Sequence, residues 1–409
     1  MEEKYKHNLA KIAVKVGVNL QPDQILIINS PVECADFSRL LVTEAYKAGA
    51  KDVLINYEDQ KISRLRYDNA SEKTLSNIPD WIKNKYDWIL ENKAAIISIH
   101  ATEPTIMAGV NNEKVKIAVN ASQSVTAGYH QAIINNLIRW CVISVPTPSW
   151  AKQVFPNCEE KEAVERLWEA ICKTSRTDVD DPIEAWSQHN ANFKAHAEFL
   201  NKQQFDHFIF RNSLGTNLTV GMPENHIWEG GCEKAADNII FNPNIPTEEV
   251  FCAPHRTRVN GTLVASHPLV YLGQIIDKFQ LTFNKGRVVE YSAEKGEEAL
   301  KNLINESAGS NYLGEIALVQ HDSPISNLNL LFYNTLFDEN ASCHFALGSS
   351  YPTNIKNGTK MSEEELLAAG MNCSNTHVDF MIGTSDLSII GVKKDGTEIT
   401  VFEKGNWSI

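Results

Sequence analysis

The segment QILIINSPVECADFSRLLVTEAYKAGAKDVLINY, residues 24–57, predicts the architecture of the first half of the chain. Two short apolar runs, residues 24–29 and 52–57, flank residues 34–47, where apolar residues recur at helical spacing. Apolar strands separated by a helix are typical of a parallel sheet that is covered on both faces. We therefore expect a strand–helix–strand unit in this segment.

The same alternation continues beyond this segment. Residues 94–99 and 140–145 are predicted as further strands, and residues 111–138 as the helix between them. No GxGxxG sequence follows the first strand, so the fingerprint of a dinucleotide-binding domain is missing. We predict an α/β N-terminal domain over residues 1–185 with a mostly parallel sheet.

The second half of the chain has the pattern of antiparallel sheet. Asp181-Pro182 marks the start of a predicted helix over residues 183–202, and short strands with polar turns follow it. Residues 284–286 and residues 393–396 each separate two strand-like stretches, as the turn of a β-hairpin does. We predict an α+β C-terminal domain over residues 186–409 with a largely antiparallel sheet.

The bulk composition limits the classes of partner. The 409 residues carry a formal net charge of −13, with 43% apolar and 22% charged residues, as expected of a globular protein of about two domains. An acidic chain argues against nucleic acid and anionic membranes as partners, because both bind clustered lysine and arginine. The N-terminal sequence does not resemble a secretory signal, and no window of about 20 residues is apolar enough to span a bilayer.

The cysteine pattern also bears on localisation. The eight cysteines are scattered along the chain and include no CxxC pair. This spacing indicates neither a thiolate zinc site nor a disulfide framework. We therefore expect reduced, mostly buried thiols in a cytoplasmic protein.

The second half contains candidates for metal binding. They are carboxylates, imidazoles and one phenol in short polar segments: Glu249, Glu315, His344, Tyr351, His377 and Asp379. Each has an ordinary explanation when it is taken alone. A histidine between apolar residues is more often a hydrogen-bonded core residue than a ligand, and an HxD pair is a common string. The residues alone do not decide between Glu249 and its neighbour Glu248.

Taken together, these residues suit two divalent cations held close together. His377 and Asp379 are two positions apart, so they point to the same side of a strand. Three carboxylates carry about −3 against +4 from two divalent ions, which leaves roughly +1 when both imidazoles are neutral. Such a residual charge would activate a bridging water and stabilise an oxyanion. The ligand types suit zinc, cobalt or manganese without distinguishing among them.

Longer strings around these residues resemble the thermophilic-type metalloaminopeptidases, the family of aminopeptidase T, aminopeptidase S and PepS. The matching strings are NPNIPTEEVFCAPH (242–255), VNGTLVAS (259–266), GRVVEYSAEKGEEALKNLI (286–304), YLGEIALV (312–319), SPISNLNLLFYNTLFDENASCHFALGSSYP (323–352) and THVDFMIG (376–383). The resemblance covers almost the whole second half and recurs more loosely in the first. Strings of this length, in this order, are far more specific than an HxD pair.

The resemblance implies a set of metal ligands, and it favours Glu249 over Glu248. The ligands carried over are Glu249, Glu315, His344, His377 and Asp379, with Tyr351 beside them. The resemblance also implies two metal ions, removal of N-terminal amino acids from short peptides, and a homodimer. The N-terminal domain, residues 1–185, would then limit substrate access to short peptides or form the dimer contacts. Ser388 and Ile390 stand where family members often have acidic residues, which leaves the substrate preference open.

We therefore predict a metal-dependent aminopeptidase with a dinuclear metal site in its C-terminal domain. A hydroxide bridging two divalent ions would attack the peptide bond, with Glu249 or Glu315 as general base. Tyr351 would donate a hydrogen bond to the oxyanion. Two other functions stay open on the residues alone. A dinuclear phosphoesterase would have more aspartates and nearby basic residues, and a non-catalytic binding protein would hold metal without turnover.

Overall fold

The computed structural model describes residues 2–101, 103, 106–107, 109–272 and 274–409. The chain divides into two compact units. The first unit comprises residues 1–188, 232–246 and 332–336, and the second comprises residues 189–231, 247–331 and 337–409. Across the described ranges, no helix is long and apolar enough to cross a membrane. The roles predicted for the two domains stay predictions.

The α-helices of the described residues begin and end as follows. They are α1 (Glu3–Ile12), α2 (Ala35–Lys47), α3 (Gln60–Asn69), α4 (Glu72–Leu75), α5 (Asp80–Glu91), α6 (Asn112–Ile134), α7 (Pro148–Val154), α8 (Glu160–Thr174), α9 (Pro182–Gln203), α10 (Glu297–Ile304), α11 (Thr335–Asp338) and α12 (Glu363–Ala368).

The strands are, in chain order, β1 (Ile25–Pro31), β2 (Asp52–Glu58), β3 (Ala95–Ile99), β4 (Trp140–Ile143), β5 (His207–Arg211), β6 (Asn217–Gly221), β7 (Glu229–Gly230), β8 (Glu233–Lys234), β9 (Ile240–Phe241), β10 (Val250–Cys252), β11 (Val259–Val264), β12 (Leu269–Tyr271), β13 (Gln274–Asn284), β14 (Arg287–Lys295), β15 (Leu313–Leu318), β16 (His344–Gly348), β17 (His377–Met381), β18 (Ser388–Val392), β19 (Glu398–Glu403) and β20 (Asn406–Trp407). Strands β8 and β9 form a separate hairpin in the first unit.

The main sheet of the first unit, here called the parallel sheet, has the strand order β2-β1-β3-β4. All of its pairings are parallel, and α2 connects β1 to β2. Leu26 and Ile28 of β1 and Leu41 of α2 are fully buried, because the apolar residues of both elements face each other. The predicted α/β organisation of the N-terminal domain is confirmed.

The second unit contains two antiparallel sheets. The smaller one, here called the site sheet, has the order β17-β16-β15-β10-β7. The larger one has the order β12-β13-β11-β6-β5-β18-β19-β20, with β14 paired to β13. Both predicted hairpins are present in it, as β13–β14 and β18–β19. The predicted antiparallel organisation of the C-terminal domain is confirmed.

One face of the site sheet is packed into a core. Phe345 of β16 contacts Phe210 of β5, with ring centroids 5.2 Å apart. Phe380 of β17 contacts Phe279 of β13 at 5.5 Å. All four rings belong to one buried cluster that joins the two sheets of the second unit. Because side chains alternate along a strand, the residues next to Phe345 and Phe380 point to the opposite face.

Candidate metal centre

The strand register brings the candidate ligands of β15, β16 and β17 onto that opposite face. Glu315 of β15 and Asp379 of β17 both pair with Ala346 of β16, one from each side. His344 and His377 each lie two positions before a member of this row, so they share its face. Ala346 ends in a methyl group, which leaves the space between the two carboxylates open.

Glu249 reaches the same face from the start of β10. Phe251 of β10 pairs with Ala317 of β15, and Ala317 pairs with His344. Glu249 lies two positions before Phe251, so an extended chain directs both side chains the same way. The register therefore puts Glu249 on the same face as His344, one row beyond the row of Phe251, Ala317 and His344.

The two glutamates before β10 have different surroundings. Glu248 Oε2 lies 3.8 Å from His189 Nε2, and the Glu248 backbone N–H donates to the Asn340 side chain. Glu249 Oε2 lies 3.0 Å from His344 Nε2. The structure thus places Glu249, rather than Glu248, among the candidate ligands.

The candidate ligands form two groups that share one carboxylate. Glu249, Glu315 and His344 make up the first group, and Glu315, His377 and Asp379 make up the second. In each group, one donor atom per residue lies within 4.8 Å of the others. Glu315 Oε1 is 3.8 Å from His344 Nε2, whereas Glu315 Oε2 is 3.2 Å from His377 Nε2. The two oxygens of Glu315 therefore face different groups, as in a carboxylate that bridges two cations.

Backbone carbonyl groups orient both imidazole rings. His344 Nδ1 lies 3.1 Å from the carbonyl oxygen of Ser342, and His377 Nδ1 lies 2.8 Å from that of Ser349. A carbonyl oxygen only accepts, so Nδ1 of each ring is the donor. In the neutral ring this leaves the Nε2 lone pair directed at the carboxylates. Metal-binding histidines are held in the same way.

The carboxylates of this cluster carry more negative charge than the neighbouring side chains offset. Burial raises the pKa of Glu315; the hydrogen bond to His377 opposes this effect, and Asp379 reinforces it. Burial alone would lower the pKa of His344, but the hydrogen bond to Glu249 and the nearby carboxylates outweigh burial and raise this pKa to about 10. The carboxylates around His344 therefore stabilise a positive charge among them.

The donor set fits divalent cations. Asp379 Oδ1 is buried and accepts no hydrogen bond from the described residues, while His377 Nε2 lies 3.4 Å away. An incompletely paired carboxylate oxygen in the interior is destabilising unless a cation binds it. Carboxylate oxygens combined with imidazole nitrogens suit zinc, cobalt and manganese.

Tyr351 lies beside the second group. Its ring centroid is 5.1 Å from that of His377 and 5.9 Å from that of Phe251. The residue as a whole is 42% exposed, yet its phenol group lies among charged side chains. Burial around that group raises the pKa of Tyr351, with His377 opposing and Glu315 reinforcing the effect. The hydroxyl group therefore keeps its proton at neutral pH and can donate a hydrogen bond.

Glu339 belongs to the same electrostatic cluster, although it is not among the residues predicted from the sequence. It lies in the short 3-10 helix Glu339–Ala341. Burial raises the pKa of Glu339 well above its ordinary value, and the carboxylates of Asp379 and Glu249 raise it further. Its sequence setting, Asp338-Glu339-Asn340, is typical of an exposed polar turn, so no motif or periodicity distinguishes it.

Comparison with known proteins finds similarity over nearly the whole chain. The profile of the family described as thermophilic metalloprotease (M29) matches residues 2–407. This chain belongs to the M29 family. The family membership predicted from the sequence strings is confirmed.

Several named proteins align with this chain over nearly all of their length. Aminopeptidase 2 of Geobacillus stearothermophilus is 45% identical, with 99% of this chain and 98% of the relative covered. Aminopeptidase AmpS of Bacillus subtilis is 41% identical, with 98% and 97% covered. The solved structure of wild-type AmpT from Thermus thermophilus matches with a TM-score of 0.93 at 37% identity, and 100% of both chains is covered.

M29 membership decides among the functional classes left open by the residues. The family is one of metalloproteases, so this chain is a metal-dependent hydrolase of peptide bonds. A dinuclear phosphoesterase and a non-catalytic binding protein are not favoured. The two groups that share Glu315 supply candidate ligands for the metal that the family requires.

Proposed function

We propose that this chain is a metal-dependent aminopeptidase that removes N-terminal amino acids from short peptides. The observation that carries the proposal is the position of Glu315, whose two oxygens face His344 and His377 separately. The names of the M29 relatives, several of them aminopeptidases, support the substrate class.

We propose two divalent cations per chain, either zinc, cobalt or manganese, with Glu315 contacting both. Glu249 and His344 would complete the ligands of one ion, and His377 and Asp379 those of the other. When bound, such ions polarise the scissile carbonyl group and lower the pKa of a water molecule.

The surrounding side chains have roles that follow from their chemistry. Glu315 and Glu249 are candidates for the general base, and Glu339 is a third, because a carboxylate can accept the proton of the attacking water. The Tyr351 hydroxyl group would donate a hydrogen bond to the oxyanion of the tetrahedral intermediate. The alternation that buries Phe345 and Phe380 holds the ligand-bearing strands rigid, so the donors are positioned before substrate binds.

The test uses three chromogenic substrates on the purified full-length protein: L-leucine p-nitroanilide, its N-acetylated form and p-nitrophenyl phosphate. We expect hydrolysis of the first only, because an aminopeptidase requires a free N-terminus. Chelation should abolish the activity, and zinc, cobalt or manganese should restore it. Metal analysis of the same sample should approach two ions per chain.

Different outcomes would contradict different parts of this proposal. Equal cleavage of the acetylated substrate would exclude an exopeptidase that requires a free amino group. Cleavage of the phosphate ester alone would favour a phosphoesterase. Metal bound at two ions per chain without turnover of any peptide substrate would favour a binding protein.

We also propose that the enzyme is a cytoplasmic homodimer whose N-terminal domain limits access for long peptides. The free state of the cysteines supports a reducing compartment. The net charge of −13 makes nucleic acid an improbable partner. Sedimentation equilibrium should give twice the chain mass of 45.7 kDa. Comparing cleavage of dipeptides with that of folded proteins would test the access role.

A further inference from the structure

A polar cavity of about 280 Å³ lies in the first unit, at the carboxyl ends of the parallel strands. Its lining comes from the segments that follow each of the four strands and includes Glu33, Gln60, Lys61, Glu103, Thr147 and Lys152. None of these residues belongs to the candidate metal centre. The catalytic proposal therefore leaves the cavity without a role.

The topology of the parallel sheet explains why a cavity forms at this place. The strand order is β2-β1-β3-β4, so the connection through α2 runs from β1 to one side, and the connection through α6 runs from β3 to the other. A crevice opens where neighbouring connections diverge, and ligands of open α/β sheets bind in such crevices. Glu33 follows β1 and Glu103 follows β3, so the cavity lies at this point of divergence.

Thr147 provides a second, independent observation. It is 4% exposed, and its hydroxyl oxygen is buried without a hydrogen-bond partner among the described residues. Thr147 occupies the N-cap position of α7, where a threonine hydroxyl usually accepts a backbone N–H, but it makes no such bond. Other atoms of Thr147 line the cavity, so rotation about the Cα–Cβ bond would bring the hydroxyl group to the cavity surface. A buried hydroxyl group without a hydrogen-bond partner destabilises the folded protein. A ligand that accepts its hydrogen bond would remove this cost, which favours binding.

The charges of the lining indicate the class of ligand. Lys61 and Lys152 are cationic, whereas Glu33, Glu103 and Glu160 are anionic. The acidic excess disfavours phosphate, and the described lining residues include no aromatic side chain on which a nucleobase could stack. A small molecule with one positive and one negative group would match both signs.

We propose that this cavity binds a free α-amino acid. Its carboxylate would lie towards Lys61 and accept a hydrogen bond from the Thr147 hydroxyl group, and its ammonium group would lie towards the glutamates. An amino acid is also the class of molecule that the proposed reaction releases. The site itself is inferred from the first unit alone and does not depend on that reaction.

The test is calorimetric titration of the full-length protein with L-alanine and two blocked forms that a peptidase cannot cleave to L-alanine at a free N-terminus: N-acetyl-L-alanine, which lacks the ammonium group, and ethylamine, which lacks the carboxylate. We expect L-alanine to bind at millimolar concentrations and both blocked forms to bind at least tenfold more weakly, because each lacks one charge. Thr147→Val keeps the side-chain shape and removes the hydroxyl group. It should weaken L-alanine binding at least tenfold and raise the melting temperature of the ligand-free protein.

Thr126→Val is the matched control. Thr126 is 3% exposed, but its hydroxyl group donates to the Ser122 carbonyl group, so this variant should melt at a lower temperature and bind L-alanine normally. Lys61→Gln should weaken binding without a change in melting temperature. Absence of binding by the wild type, binding that persists in Thr147→Val, or equal binding of the blocked forms would each overturn the proposal.

Discussion

The site sheet and the parallel sheet present their polar groups in different ways. In the site sheet, the candidate ligands lie on the strands themselves, and the pairing of Glu315 and Asp379 with Ala346 fixes their direction. In the parallel sheet, the inner strands β1 and β3 are mostly buried, and Thr147 lies beyond the strand ends, where it lines a polar cavity. A sheet with one polar face can carry a reactive centre directly, whereas buried parallel strands can do so only at their carboxyl ends.

The largest loss of activity that this comparison predicts follows substitution of Glu315. Glu315→Gln should lower kcat for L-leucine p-nitroanilide at least ~1000-fold, because both donor groups lose a charged ligand. Metal content, measured on the same sample, should fall with it. The metal-free variant should melt at a higher temperature than metal-free wild type, because one buried carboxylate is removed from a cluster of like charges.

Glu248→Gln is the control for this substitution. Glu248 is equally buried, at 5% exposed against 4% for Glu315, but it faces His189 instead of the candidate ligands. It should retain metal and most activity. Loss of activity in both variants to the same degree would show that burial, rather than position on the shared face, decides the effect.

A smaller effect is expected at Tyr351, which lies beyond the end of β16. Tyr351→Phe should lower kcat about 100-fold, with KM and metal content little changed, because one hydrogen-bond donor to the oxyanion is lost. Steady-state kinetics and metal analysis would test this. A change of less than twofold in kcat would show that Tyr351 only packs against its neighbours. The catalytic groups would then lie on the strands.

Substitution of Gly348 tests whether the pairing of β16 with β17 affects metal affinity as strongly as the ligands themselves do. Its φ is +117°, and an added Cβ would lie 1.9 Å from the carbonyl oxygen of Thr376, directly before His377. Gly348→Ala should therefore disturb the pairing of β16 with β17 and weaken metal affinity ~10–100-fold. Gly396→Ala is the control, since Gly396 also has positive φ but nothing lies within 4 Å of the added carbon. Metal titration with a chelating indicator would separate the two variants.

The smallest effect on catalysis is expected from the parallel sheet. Leu41→Ala in α2 removes a fully buried side chain and should lower the free energy of unfolding by about 2–5 kcal/mol. The kcat of the folded enzyme should be unchanged, because α2 contains no candidate ligand. Denaturant unfolding and kinetics at low temperature would check both statements, and a kcat that falls tenfold would link the parallel sheet to catalysis.

The same contrast explains what the sequence predicts well. Apolar runs of the kind in residues 24–57 predict strands and helices because the length and spacing of the apolar residues match those of each element. The spacing of His377 and Asp379 predicts a common direction because side chains alternate in every strand. The family strings then single out the remaining candidates, including Glu249 over Glu248.

What the sequence does not reveal depends on contacts between distant segments. Glu339 joins the cluster only because a short helix brings it towards Asp379 and Glu249, and no local pattern marks that approach. The strand order of the site sheet places β10 beside β15, although dozens of residues separate them. The unpaired hydroxyl group of Thr147 is likewise a property of its surroundings, since a threonine before a proline-led helix suggests only an ordinary cap.

Ala346 has a consequence for redesign of this enzyme. Its methyl group sits in the central row of the polar face, flanked by Glu315 and Asp379 on the adjacent strands. Any longer side chain introduced there would project into the space between these two carboxylates. A thiol at this one position would add a soft donor to the cluster, so the preference for one metal over another could be changed while every candidate ligand stays in place.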